Sequence, residues 1–299
     1  MAFKPLDPIV QTVVDTFNSW GSETPIATIR KEWDEIFSDV VPSVGATSEA
    51  VDIGGIAGEW ISAPEAQRDR AVLYLHGGGY IIGSINSHRD VCERLSRSAK
   101  ARVLAINYRL GPEHPFPAGI DDAVAAYRWL LKQPGLSAKR IAIAGDSAGG
   151  GLATSTLLAL KQAGEPMPGC ATLMSPWVDL ELSGDSMDSK GEDDPMVKKA
   201  MLAAMTAAYV PTGDLRNPLI SPLTTDLTGL PPLMIHVGMR EVLLDDSVRL
   251  AARAKAAGVD VEFKAWEGQV HVFQIFASGV KDGDTSLQEL GAFIRKHIP

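Results

Sequence analysis

The chain has 299 residues, 45% of them hydrophobic and 22% charged, with a formal net charge of −9. That length holds one large α/β domain or two small ones around a sizeable core, and the acidic balance excludes a nucleic-acid binder, because no basic stripe is available to neutralise phosphates. No apolar run approaches the ~20 residues that a membrane span needs; the two cysteines, Cys92 and Cys170, lack ligand spacing and read as core thiols, so neither a disulfide framework nor a metal site is expected.

The N-terminus, "MAFKPLDPIVQTVVDTF", carries Asp7 and Asp15 and no continuous apolar segment. It reads as a helix and not as a signal peptide, which makes the expected location cytoplasmic. Asp7-Pro8 is a cap and first-turn pair, and Val10, Val13, Val14, Phe17 and Trp20 recur at helical spacing. A second stripe, Ile29, Trp33, Ile36, Phe37 and Val40, follows Thr28. "EAVDIGGIAGEWISAP" then reads as a hairpin around Gly54-Gly55.

From residue 71 the rhythm changes. Short apolar runs at 71–75, 102–107, 140–145, 169–175, 232–238 and 261–266 alternate with helical patterns near 87–100, 119–133, 148–163, 245–257 and 284–297. Continuous apolar strands separated by helices predict a mostly parallel sheet covered on both faces. Residues 183–231 break the alternation. Within them "DDPMVKKAMLAAMTAAYV" predicts an inserted helix starting at Asp194-Pro195, with Val197, Met201, Met205 and Tyr209 near one face. Its methionines serve either an adaptable acyl pocket or ordinary packing.

The chemistry concentrates in "RIAIAGDSAGGG". Gly145 and Gly149 flank Ser147 as G-x-S-x-G, between a strand and a helix. A sharp strand-to-helix turn exposes the serine oxygen, and side chains two positions either side would collide. The helix N-terminus adds free N–H groups where negative charge is favoured. The phosphate-binding alternatives fail: no lysine follows the glycines, and the turn comes late in the sheet.

A serine hydroxyl needs a base. In this architecture the chain order is serine, acid, histidine. Among six histidines, His76, His88 and His114 precede Ser147, His236 lies in an apolar strand and His297 is near the C-terminus. His271, in the loop "EGQVHVF", remains as the base. For the acid, Asp245 and Asp246 have a sufficient duty in capping the following helix. Glu241 is favoured, with Asp179 in "SPWVDL" as its competitor. Strand 71–75 runs into His76-Gly77-Gly78-Gly79, whose exposed N–H groups suit a tetrahedral oxyanion.

Taken together, "HGGGY", "NYRLGPEHPFPA", "GDSAGGG", "SPWVDL" and "VHVF" resemble the hormone-sensitive-lipase group of serine esterases, bacterial family IV, of the α/β-hydrolase fold. The resemblance covers residues ~45–299 well and matches the N-terminal helices in length and character. It implies an eight-stranded, mostly parallel sheet with helices on both faces and a helical cap. Residues 1–45 and 183–212 would form the cap, and 46–182 with 213–299 the catalytic domain. It implies Ser147 as nucleophile, His271 as base, and an oxyanion hole from the N–H groups of Gly77, Gly78 and Ala148. Asp146 would orient the oxyanion loop, with His76 and Gly79 supporting it, while Arg109 and Glu113 read as scaffold. Tyr80, Met201, Met205, Tyr209 and Val272 are the expected pocket residues. Glu241 stands where the family more often has Asp, Val272 where glycine is common, and Gly111 where alanine is usual.

The expected activity is hydrolysis of short-chain carboxylic esters, with a small-molecule ester as substrate, no nucleic-acid or membrane partner and no cofactor. A lactonase, deacetylase or amidase would use the same machinery. A non-catalytic receptor on this scaffold is disfavoured by the retained serine, histidine and acid. A homodimer through the last strand and helix, a frequent arrangement in the family, stays open.

Overall fold

The computed structural model describes residues 6–21, 23–37 and 43–299. Two helices come first, α1 (Pro8–Ser19) and α2 (Ile26–Ile36). The Asp7 carboxylate accepts from the Ile9 N–H at 3.1 Å, which caps α1, and Pro8 occupies the first helical position, where no N–H is required. Val40, assigned above to the second stripe, lies outside the described residues.

The hairpin is β1 (Thr47–Asp52) and β2 (Ala57–Ser62), paired antiparallel. Then come β3 (Gln67–Leu75), α3 (Ile85–Ala99), β4 (Ala101–Ile106), α4 (Ala118–Leu130), β5 (Ile141–Asp146), α5 (Ala148–Gln162) and β6 (Cys170–Met174). A short α6 (Ser186–Ser189) and α7 (Lys199–Tyr209) precede β7 (Leu233–Gly238), α8 (Leu244–Ala256), β8 (Val261–Trp266) and α9 (Lys281–His297). The sheet order is β1-β2-β4-β3-β5-β6-β7-β8, and every pairing from β4 through β8 is parallel.

Burial follows position in the sheet. All residues of β5, β6 and β7 are buried, as sandwiching between helix layers requires, whereas the edge strand β1 is largely exposed. The C-terminal ends of β3, β5, β6, β7 and β8 therefore open on one edge, where a parallel sheet delivers its loops.

The inserted segment corrects one expectation. Asp194-Pro195 does not start the helix, which begins four residues later at Lys199. Asp194 is fully buried instead, its carboxylate accepting from the N–H groups of Met196, Val197 and Val242. Burial raises the pKa of this carboxyl, and the three backbone donors offset that cost only in part. Nor do Asp245 and Asp246 cap α8. Asp245 accepts from the Ser186 N–H, and Asp246 from the N–H groups of Val178 and Asp179, so both tie neighbouring loops to the helix.

Candidate active site

Ser147 sits between β5 and α5 with φ 52° and ψ −122°, a backbone conformation that side chains rarely adopt. Its backbone is held on three sides: its N–H donates to Met174 O at 2.8 Å, and its carbonyl accepts from Gly151 and Trp177. A Cβ on Gly145 would lie 2.3 Å from Gly149 O, and one on Gly149 would lie 2.0 Å from Leu75 O. Glycine is thus the only residue that closes this corner.

His271 reaches Ser147 from the loop after β8. Its Nε2 lies 2.9 Å from Ser147 Oγ, and its Nδ1 lies 2.6 Å from Glu241 Oε2. A carboxylate only accepts, so the Nδ1 carries the proton and Nε2 is left as an acceptor for the serine hydroxyl. The other Glu241 oxygen accepts from Ser175 Oγ and from the Gly238 N–H, both at 2.7 Å. Burial disfavours the imidazolium, but the Glu241 charge and hydrogen bond, aided by Asp194, outweigh it, and the His271 pKa is raised above its ordinary 6.5.

Asp179, the competing acid, does not approach His271. Its carboxylate is taken by Arg249 at 2.8 Å and by Ser183.

The turn after β3 corrects the expected donor set. The Gly77 N–H donates to Asp146 Oδ1 at 3.1 Å and is occupied there. Gly78 and Gly79, both at positive φ, line the cavity in front of Ser147, while Gly77 does not, and α5 begins at Ala148 directly after the serine. Asp146 also accepts from Tyr74 Oη at 2.7 Å and faces His88 Nε2 at 3.4 Å. Burial opposes ionisation of both groups in that pair, yet each charge favours the other: the Asp146 pKa is lowered and that of His88 raised. His76 stacks on Tyr108 at 4.4 Å and faces the Gly77 carbonyl; burial drives its pKa down to about 3, so it is a neutral strut.

A cavity of about 600 Å³, its mouth included, leads to Ser147. Phe17 and Trp33 come from the N-terminal helices, Met196, Val197, Met201, Leu202 and Met205 from the inserted segment, and Val272, Ile275 and Phe276 from the loop carrying His271. Tyr80 and Tyr209 were expected here and are not among the lining residues. They are buried behind it, stacked on each other with centroids 4.0 Å apart.

Three residues at the site escaped the sequence reading. His88 lines the cavity and pairs with Asp146, Ser175 bridges Glu241 and the Val272 N–H, and Asp194 supports the Val242 N–H next to Glu241. Ser175 had one available signal: it directly follows a strand that the sheet order sets between those carrying Ser147 and Glu241. Among the described residues, no group of three or more His, Cys, Asp or Glu side chains is placed to hold a metal ion.

The sheet order and the serine corner together are those of an α/β-hydrolase. A family model described as alpha/beta hydrolase fold matches residues 72–275. An acetyl-hydrolase of Streptomyces hygroscopicus is 44% identical over 83% of this chain and 82% of its own length. An esterase of Acinetobacter venetianus is 37% identical over 81% of this chain and 80% of its own. The crystal structure of an esterase from the bacterial hormone-sensitive lipase family superposes with a TM-score of 0.94 at 40% identity, covering 99% of this chain and 100% of that one. The chain belongs to the α/β-hydrolase family, in its bacterial hormone-sensitive-lipase group, and is a carboxylic ester hydrolase.

Proposed function

We propose that the enzyme hydrolyses short-chain carboxylic esters through an acyl-enzyme on Ser147. Ser147 Oγ attacks the carbonyl carbon as its proton passes to His271 Nε2. The developing oxyanion is held by the N–H groups of Gly78, Gly79 and Ala148. The tetrahedral intermediate collapses, the ester C–O bond breaks, and His271 returns the proton to the departing alcohol oxygen. Water then repeats the sequence on the acyl-enzyme. Glu241 keeps the His271 tautomer and stabilises the imidazolium. No metal or organic cofactor is called on. The helices of residues 1–45 and the segment 183–212 act as a cap whose apolar side chains narrow the approach to small esters.

The observation that carries this reading is the unbroken relay from Ser147 Oγ to His271 to Glu241, at 2.9 and 2.6 Å. It is tested with p-nitrophenyl butyrate and a fluorophosphonate. Ser147→Ala and His271→Ala should each abolish turnover while remaining folded, and peptide mass should place the phosphonate on Ser147. Substantial turnover by Ser147→Ala would sink the reading.

A further inference from the structure

The two tyrosines behind the cavity have a role of their own. Tyr80 follows the glycines of the oxyanion turn and is itself held at φ 63°, an unfavourable conformation for a bulky side chain. Its ring lies flat on Tyr209, the last residue of α7, with an interplanar angle of 4°. Both rings are 2% exposed. The Tyr80 ring also lies near Trp177, tilted by 43° with centroids 5.9 Å apart, and its hydroxyl abuts Gly151 of α5, where a Cβ would meet it at 2.6 Å.

One turn earlier on α7, Met205 presses on the same oxyanion turn. A Cβ on Gly79 would fall 2.1 Å from Met205 Sδ. Met205 and Tyr209 are four apart and share a helix face, so α7 meets Gly79 and Tyr80 as one surface. The end of α7 is itself fixed, since the Phe116 N–H donates to the Tyr209 carbonyl at 2.9 Å and the Gly111 N–H to the Tyr80 carbonyl at 2.9 Å.

We propose that Tyr209 is a positioning residue: through its stack on Tyr80 it holds the Gly78 and Gly79 N–H groups where the oxyanion forms. It touches no substrate. A parallel aromatic pair contributes orientation beyond simple burial, and a strained residue persists only where its surroundings over-determine it. Loosening the stack lets Tyr80 relax and turns the two donors away. The cost falls on the transition state, because the donors are needed most when charge develops on oxygen. This inference rests on the proposed oxyanion role of Gly78 and Gly79.

The test compares Tyr209→Phe, Tyr209→Leu and Tyr209→Ala on p-nitrophenyl acetate and with an aryl trifluoromethyl ketone, whose adduct on Ser147 carries an oxyanion. Phe keeps the ring and should retain kcat within about twofold. Leu and Ala should lower kcat about ten- to a hundredfold, less than loss of a whole donor, with KM little changed and ketone affinity falling in parallel. Leu keeps most of the volume and serves where Ala does not fold. A folded Leu variant with unchanged kcat, or with a KM effect alone, or with undiminished ketone affinity, overturns the proposal. Ser147→Ala, assayed beside these variants, separates the outcomes: if it remains active the whole site reading fails, whereas an inactive Ser147→Ala with a fully active Tyr209→Leu defeats this inference alone.

Discussion

His271 Nδ1 and Glu241 Oε2 are 2.6 Å apart and both side chains are buried, so an imidazolium at His271 would meet its counter-charge in direct contact. The same contact sets two pH dependences of opposite sign. The His271 pKa is raised, so the neutral base disappears as pH falls through a value above 6.5. Activity should therefore rise with pH across that window. The stability contributed by the ion pair runs the other way: it is fully present below the unfolded imidazole pKa of about 6.5 and is lost as pH rises through the folded value. Glu241→Gln should lower kcat by on the order of a thousandfold or more and move the acid limb of kcat/KM to lower pH. An unmoved limb would contradict the assignment of Glu241.

Ser175 donates to Glu241 Oε1 at 2.7 Å and receives the Val272 N–H at 3.2 Å. A hydrogen bond to a charged group is worth roughly 1.5–3 kcal/mol. Ser175→Ala should therefore reduce kcat about tenfold to a hundredfold, with the acid limb displaced in the same protein. Full activity with a wild-type pH profile would show that Gly238 alone suffices to orient the acid.

Gly149 has no room for a methyl group, its Cβ position lying 2.0 Å from Leu75 O and 2.5 Å from His76 O. Both contacts are backbone and cannot swing aside. Gly149→Ala should cost about 3 kcal/mol, or roughly 5 °C in Tm, and should disable Ser147. Gly21→Ala, where nothing lies within 4 Å, is the control and should be neutral. Equal thermal stability of the two variants would refute the packing argument.

Asp246 is buried, and burial drives its pKa up to about 8, with the two N–H bonds from Val178 and Asp179 only partly offsetting this. The unfolded chain ionises this carboxyl near pH 4, so raising the pH from about 4 to 8 removes stability, by at most about 1.4 kcal/mol per pH unit. Asp246→Asn keeps an acceptor and does not titrate. Its Tm should depend less on pH and overtake wild type above about pH 8; parallel Tm curves would count against it. Asp179→Ala, which frees Arg249, should lower Tm while leaving kcat within a few-fold, in contrast to Glu241.

What the sequence made legible was whatever a short window contains. G-x-S-x-G encodes part of its own corner: the closest clash at Gly145 is with the Gly149 carbonyl of the same strand–turn–helix, whereas Gly149 is demanded by the Leu75 and His76 carbonyls at the end of β3. His271 was reachable through chain order. The engagement of the Gly77 N–H was not, since only the folded sheet brings the Asp146 carboxylate to it from 69 positions away. Asp194, Asp245 and Asp246 looked like helix caps for a related reason. An acidic residue before a helix has a local use by default, and its actual partners, at Val242, Ser186, Val178 and Asp179, include several contributed by distant segments. Tyr80 and Tyr209 were placed on the correct elements, but whether an aromatic faces a cavity or its neighbour depends on packing between segments.

The cavity walls bear on how turnover ends. Apart from Ser147, the paired His88 and Asp146, and His271, the lining is almost entirely aliphatic, aromatic or thioether, and Glu241 lies directly behind the imidazole. An ester enters this chamber neutral, whereas the acid released from it ionises at neutral pH. Among the described lining residues the product anion meets no Lys or Arg, the His88 side chain is paired with Asp146, and the like charge of Glu241 lies close by. Expulsion of the acid is therefore downhill by design of the walls, and acetate or butyrate at millimolar levels should scarcely slow the enzyme, leaving the alcohol as the product able to linger.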